Sequence, residues 1–143
     1  MANQVERNKA VIRSFVEAIN AQDWARLDEL VGADFVRHSQ AAGPPGVRSR
    51  DDLKHYLKIE FATFPDACES IADLLAEGDR VAVRQRFRGT QQGAMGPYPP
   101  SGRVLEAEYL AIYRLENGRI VEAWAEWDNL SGLAQLGHYR PAT

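Results

Sequence analysis

The spacing of apolar residues changes period once along this chain, at Pro65, and that change fixes the order in which helices and strands can occur. Upstream, Val5, Ile12, Phe15, Val16 and Ile19 recur at helical intervals and predict an amphipathic helix over residues 4–20. Asp23 is placed to cap a second helix, whose buried face would carry Trp24, Leu27, Leu30 and Val31. A short extended segment, Asp34 to Ser39, runs into the loop AAGPPG, which can continue neither helix nor strand. Ser49 with Asp52 three residues later resembles a capping box, and Leu53, Leu57, Phe61 and Phe64 give a third helix its apolar stripe. Beyond Pro65 the period is two. Strands are expected near 67–77, 80–91, 103–115 and 119–129, joined as a meander. Glu77-Gly78-Asp79 and Glu116-Asn117-Gly118 are hairpin turns, the Asn-Gly pair being the stronger signal because both residues tolerate positive φ. The remaining connection, Gln91 to Gly102, is too rich in Gly and Pro to be a strand. It fits either a plain surface loop or, through Met95 and Tyr98, a cover over a cavity mouth.

With 143 residues the chain can bury one sizeable core and not two, so residues 1–143 are read as a single domain. A net charge of −3 with no Lys/Arg block argues against nucleic acid as a partner. No apolar run approaches the roughly 20 residues that cross a bilayer, and MANQVERNKA lacks the apolar core of a signal peptide. The expectation is a cytoplasmic protein that does not engage the membrane. The single cysteine, Cys68, cannot form an internal disulfide and reads as a small buried hydrophobe on a strand. Three scattered histidines and that cysteine have no zinc-ligand spacing, so no metal is expected. There is no phosphate-cradling glycine loop, no G-x-S-x-G and no dinucleotide fingerprint, so no cofactor is expected either.

Strict alternation assigns faces to the two central strands. Arg84, Arg86 and Arg88 share one side of the first; Val81, Val83, Gln85 and Phe87 share the other. On the next strand Glu106 and Glu108 oppose Leu105, Ala107, Tyr109, Ala111 and Tyr113. The charged rows can pair across an exposed or subunit-contacting sheet face. The other face sets Phe87, Tyr109 and Tyr113 among alanines and a glutamine, which leaves room for a ligand where a packed core would use Leu and Ile.

The segment GRIVEAWAEWDNLSGLAQLG, Gly118 to Gly137, brings Trp124, Trp127, Glu122, Glu126 and Asp128 together. A carboxylate beside large rings is poorly hydrated, which raises its pKa toward the range useful for proton transfer. Asp128 is therefore a candidate acid/base, with capping of the following turn as the alternative role. His38 is a candidate base if its imidazole is neutral in a partly apolar pocket, or else a tie between the short strand and the sheet. His55 and His138 are expected to face solvent.

The ordered set DFVRH (Asp34 to His38), FPD (Phe64 to Asp66), AEGDRVAVR (Ala76 to Arg84), RGT (Arg88 to Thr90), PPSGR (Pro99 to Arg103) and GRIVEAWAEWD…QLG resembles the SnoaL-like polyketide cyclase or ester cyclase group of the NTF2-like superfamily. The likeness covers nearly the whole chain. It implies an α+β fold, an NTF2-like cone-shaped barrel in which three N-terminal helices pack on a strongly curved, mostly antiparallel sheet. It also implies a homodimer joined through sheet faces. The best-known members close polyketide ester rings by intramolecular aldol condensation without cofactor or metal, using a pocket carboxylate. In those cyclases the acid/base aspartate stands seven residues after the hairpin glycine and its histidine partner seven before; here these positions are Ala125 and Ala111. The histidine that often follows Gly-Thr is replaced by Gln91, whereas Asp128 and His38 match family positions.

Two functions follow as expectations. One is a cofactor-independent cyclase or isomerase acting on a hydrophobic, carbonyl-containing small molecule, with Asp128 and His38 sharing acid/base work. Trp24, Phe87, Gln85, Tyr109, Tyr113 and Trp127 would shape the site or donate to an enolate oxygen. The other is a non-catalytic dimeric binding protein, with Ala111 and Ala125 marking a lost active site.

Overall fold

The computed structural model describes residues 3–140 and 142. Helices α1 (Gln4–Ala21) and α2 (Trp24–Leu30) lead into strand β1 (Val31–His38), followed by α3 (Arg50–Thr63). Strands β2 (Cys68–Glu77), β3 (Arg80–Thr90), β4 (Val104–Glu116) and β5 (Arg119–Glu126) form the meander, and α4 (Asn129–Gln135) follows. Each of the first three helices begins where a side chain satisfies an otherwise unpaired backbone N–H: Asn3 accepts from Glu6, Asp23 from Arg26 and Ser49 from Asp52. The Asp52 carboxylate reaches back to the Arg48 N–H at 3.0 Å, one residue beyond the Ser49 N–H that a strict capping box would use.

The five strands form one mixed sheet in the order β1-β5-β4-β3-β2, with β1 parallel to β5 and every other pairing antiparallel. It does not close. The two ends of the sheet are covered by helices instead: α1 lies on β2, while α2 and α3 pack against β1. Ile12, Phe15 and Ile19 of α1, Leu53, Leu57 and Phe61 of α3, and Val81, Val83, Tyr113 and Ile120 of the sheet form the main core. Phe15 meets Tyr113 edge to face, with ring centroids 5.7 Å apart.

Three local expectations differ. Val31 is not on α2 but opens β1, so the short strand begins three residues before Asp34. β5 ends at Glu126, because the chain turns there into α4. Cys68 is exposed rather than buried: it alternates with Glu69, and it is Glu69 that points inward. The charged rows do pair on the outer face, Arg84 with Asp73 and Glu108, Arg86 with Glu108, and Arg88 with Glu106. Among the described residues no helix is long and apolar enough to cross a membrane.

Candidate functional site

Register settles which side chains enter the space between sheet and helices. One cross-strand row runs Leu75, Ala82, Ile112, Trp124 and His38. All of it lies on the outer face, where Leu75 is 71% and Ile112 41% exposed. His38 is therefore outside: its Nε2 lies 2.7 Å from Glu122, and its ring stacks on Trp124 at 5.3 Å. Its neighbour Arg37 has the opposite parity, the parity of buried Phe35, and enters the interior.

The interior is a cavity of about 550 Å³. Phe15, Phe35, Leu57, Phe87, Ala123 and Ala125 contribute apolar wall, and Tyr109, Tyr113 and Trp127 line it as well. The Gln91–Gly102 loop contributes Met95, Gly96 and Tyr98, so it does lie over the cavity. Asn129 holds the rim together, accepting from Trp127 Nε1 at 2.8 Å and donating to the Ala41 carbonyl at 2.7 Å.

Into this apolar space the fold brings a carboxylate that the sequence reading did not single out. Glu69 is opposite Phe87 in register and is almost wholly buried. Its backbone is clamped by Asn20 of α1, whose side chain accepts from the Glu69 N–H and donates to its carbonyl, both at 2.8 Å. One carboxylate oxygen accepts the Tyr109 hydroxyl at 3.0 Å; the other accepts Gln85 Nε2 at 2.7 Å. Burial pushes Glu69 up to about 7, against the pull of those two hydrogen bonds. Glu60 of α3 lines the same cavity, and burial followed by the nearby Glu69 charge pushes it up to about 8, with Arg37 pulling the other way. The two carboxyls titrate as a pair, so near neutral pH the pair retains a proton. Burial first, and then the Glu69 charge, raises Tyr113 and keeps it a hydrogen-bond donor; Tyr109 is raised in the same way.

Arg37 lies near Glu60, whose carboxyl it pulls down. Its guanidinium sits 4.1 Å above the Tyr56 ring and 5.7 Å from that of Trp127, and its Nε is buried without a partner.

The expected site residues thus separate. Phe87, Tyr109, Tyr113 and Trp127 line the cavity, and Gln85 stands behind them holding Glu69. Trp24 is half-buried on α2 outside the lining, with the Lys58 ammonium 5.1 Å from its ring. Asp128 reaches the rim, where its carboxylate accepts the Ser131 N–H at 3.0 Å as the N-cap of α4. His38 is not brought to the cavity at all. His138, expected in solvent, is half-buried: its Nε2 lies 2.7 Å from Oε1 of the fully buried Gln91, and its ring packs on Tyr98. Glu69, Glu60 and Arg37 were each marked in the sequence by parity, Glu69 with Ile71, Glu60 one helical step from Leu57, and Arg37 with Phe35. Among the described residues no group of three His, Cys, Asp or Glu side chains could hold a metal ion.

The chain matches the family model for SnoaL-like polyketide cyclases over residues 9–136. IdmH from Streptomyces antibioticus, a proposed polyketide cyclase, is 37% identical, with a TM-score of 0.80 covering 91% of this chain and 98% of that one. AclR from Streptomyces galilaeus, a proposed hydroxylase, is 26% identical with a TM-score of 0.80, covering 93% and 97%. A proposed SnoaL-like cyclase from Jannaschia sp. CCS1 shares the fold at 20% identity, TM-score 0.85, covering 99% and 98%. No curated protein matches the chain. With its open mixed sheet, helix-covered cavity and family match over nearly its whole length, the chain belongs to the SnoaL-like polyketide cyclase family and has its NTF2-like fold.

Proposed function

We propose that the protein is a cofactor-independent cyclase or isomerase that moves protons on a hydrophobic carbonyl compound, with Glu69 as the general base. The observation that carries this reading is a buried carboxylate in an apolar cavity, held by Tyr109 and Gln85 and raised by burial to about 7. A base is most effective when its pKa lies near the working pH. Ionised Glu69 removes a proton from the carbon next to the carbonyl, and the enolate oxygen accepts a hydrogen bond from protonated Glu60. The carbanion then attacks a second carbonyl of the same molecule, which closes a ring, or takes the proton back at another carbon, which isomerises it. Either route returns the proton and leaves the protein unchanged.

The family positions at 111 and 125 are filled by alanines that face each other across β4 and β5. Glu69 on β2 takes over the carboxylate role, and the reading does not depend on His38 or Asp128. We infer further that two copies join through the outer sheet face, where Leu75 and Leu110 are 71% and 63% exposed.

Hydrogen–deuterium exchange of 2-tetralone in D2O, followed by NMR, tests the chemistry without knowledge of the natural substrate. The wild type should accelerate exchange at the carbons flanking the carbonyl, and Glu69→Gln should lose about a hundredfold or more of that rate. Equal exchange by both proteins would remove Glu69 from the mechanism. Wild-type exchange no faster than buffer would favour the binding-only function.

A further inference from the structure

We infer that the cavity receives a ligand with a carboxylate head on an apolar body, and that Arg37 holds that head. The inference rests on the cavity being a small-molecule site but not on Glu69 doing chemistry there. Arg37 is the only cationic side chain among the described residues lining the cavity. It makes no ion pair with any described residue, and its Nε is buried with no partner. Its backbone N–H is already taken by the Val47 carbonyl at 3.0 Å, so the strand carrying it is pinned. The Tyr56 ring lies 4.1 Å from the guanidinium and its hydroxyl shares a hydrogen bond with it, and the buried Nε remains to be met by a carboxylate.

The acids around the cavity do not supply that partner. Glu69 is bound to Tyr109 and Gln85, and Asp128 to the start of α4. Glu108 is held on the outer face by Arg84 and Arg86. Glu60 feels Arg37, which pulls its carboxyl down, but the two make no ion pair and burial with the Glu69 charge favours the protonated form. One positive charge is thus left inside apolar walls with spare donors, an arrangement that is costly when empty and selective when filled. A single guanidinium with no second cation suits a singly charged carboxylate better than a phosphate.

Calorimetric titration with 2-naphthoate and methyl 2-naphthoate tests this, since the two probes share a body and differ in charge. Wild type should bind the acid at least about tenfold more tightly than the ester. Arg37→Gln should abolish that preference while leaving ester affinity within about twofold, and Arg37→Lys should keep part of it because the charge remains without the planar fork. Equal affinity of the wild type for the two probes, no binding of either, or an undiminished acid preference in Arg37→Gln would overturn the inference. An acid preference without 2-tetralone exchange would refute the catalytic reading alone; exchange without an acid preference would refute this one alone.

Discussion

Glu69→Gln should make the protein more stable and less active at the same pH, and the size of the gain can be worked from its surroundings. The carboxyl is raised from 4.5 to about 7, chiefly by burial. A group whose pKa rises on folding binds its proton more tightly in the folded state. Its cost to stability is therefore absent below pH 4.5, grows as the pH rises through the interval, and is constant above about 7. Fully developed, that cost is at most on the order of 3 kcal/mol. Glutamine keeps the shape without the charge. Its oxygen can still accept from Tyr109, and with the Gln85 amide turned, its Nε2 can donate to the Gln85 Oε1 that now has no partner. The variant should be about 1–3 kcal/mol more stable than wild type at pH 8, roughly 3–10 °C in Tm, with the difference vanishing near pH 4. Thermal unfolding by circular dichroism at pH 4, 6 and 8, with 2-tetralone exchange on the same samples, measures both sides. A Tm difference that does not change with pH, or a less stable variant at pH 8, would show that Glu69 is not a poorly solvated charge, and the mechanism built on it would fall.

Tyr109→Phe removes a donor that favours ionised Glu69, so the alkaline rise of the exchange profile should move about one pH unit higher and the rate at pH 7 should fall roughly fivefold; an unmoved profile would separate Tyr109 from the base. Asp128→Ala should lose about 1 kcal/mol of stability with the α4 cap, as read by chemical denaturation, while Asp128→Asn keeps the cap and exchange stays within about threefold in both. A hundredfold loss of exchange in Asp128→Asn would instead return the base to that residue. Leu110→Glu, which puts a charge on the exposed outer face, should convert a dimer to a monomer in sedimentation velocity; an unchanged sedimentation coefficient would place any association elsewhere.

The elements were legible because their causes are local. Asp23 and Ser49 cap helices where their side chains predict, and the Asn117-Gly118 turn has both φ values positive, 51° and 77°. The site was harder to read because it is assembled by parity across elements. In DFVRH the histidine is the more suggestive chemical group, yet Phe35 fixes the inward parity, and Arg37 shares it while His38 does not. The same alternation on β2 isolates Glu69 as a charge facing in beside Ile71, but the register shift after Ile71 breaks the pattern over the rest of the strand. Nothing local reveals that Asn20 of α1 would clamp Glu69, a contact 49 residues away in sequence. The end of β5 depended on where the chain leaves the sheet, and it leaves early enough for Asp128 to become a helix cap rather than a strand residue.

The alanine pair and the glutamate together constrain where a reacting carbon would lie. Ala111 and Ala125 are directly opposed, in one row with Val83. The next row toward the far end of β4 holds Gln85 and Tyr109, and the one after it holds Glu69, Phe87 and Ala107. Two rows are four residues, about 13 Å along a strand. A carboxylate at position 125 would act near Trp127, on the β5 side; Glu69 would act from β2, below α1. Methyl groups at 111 and 125 leave that nearer region as apolar volume. On the proposed mechanism this volume holds the part of the substrate that is not reacting, while Arg37, stacked between Tyr56 and Trp127, would anchor its charged end. Anchor and base on different walls of one cavity fix a substrate's length as well as its polarity. A ligand too short to span them would bind through Arg37 without presenting its carbonyl to Glu69, so discrimination should fall on turnover more than on affinity.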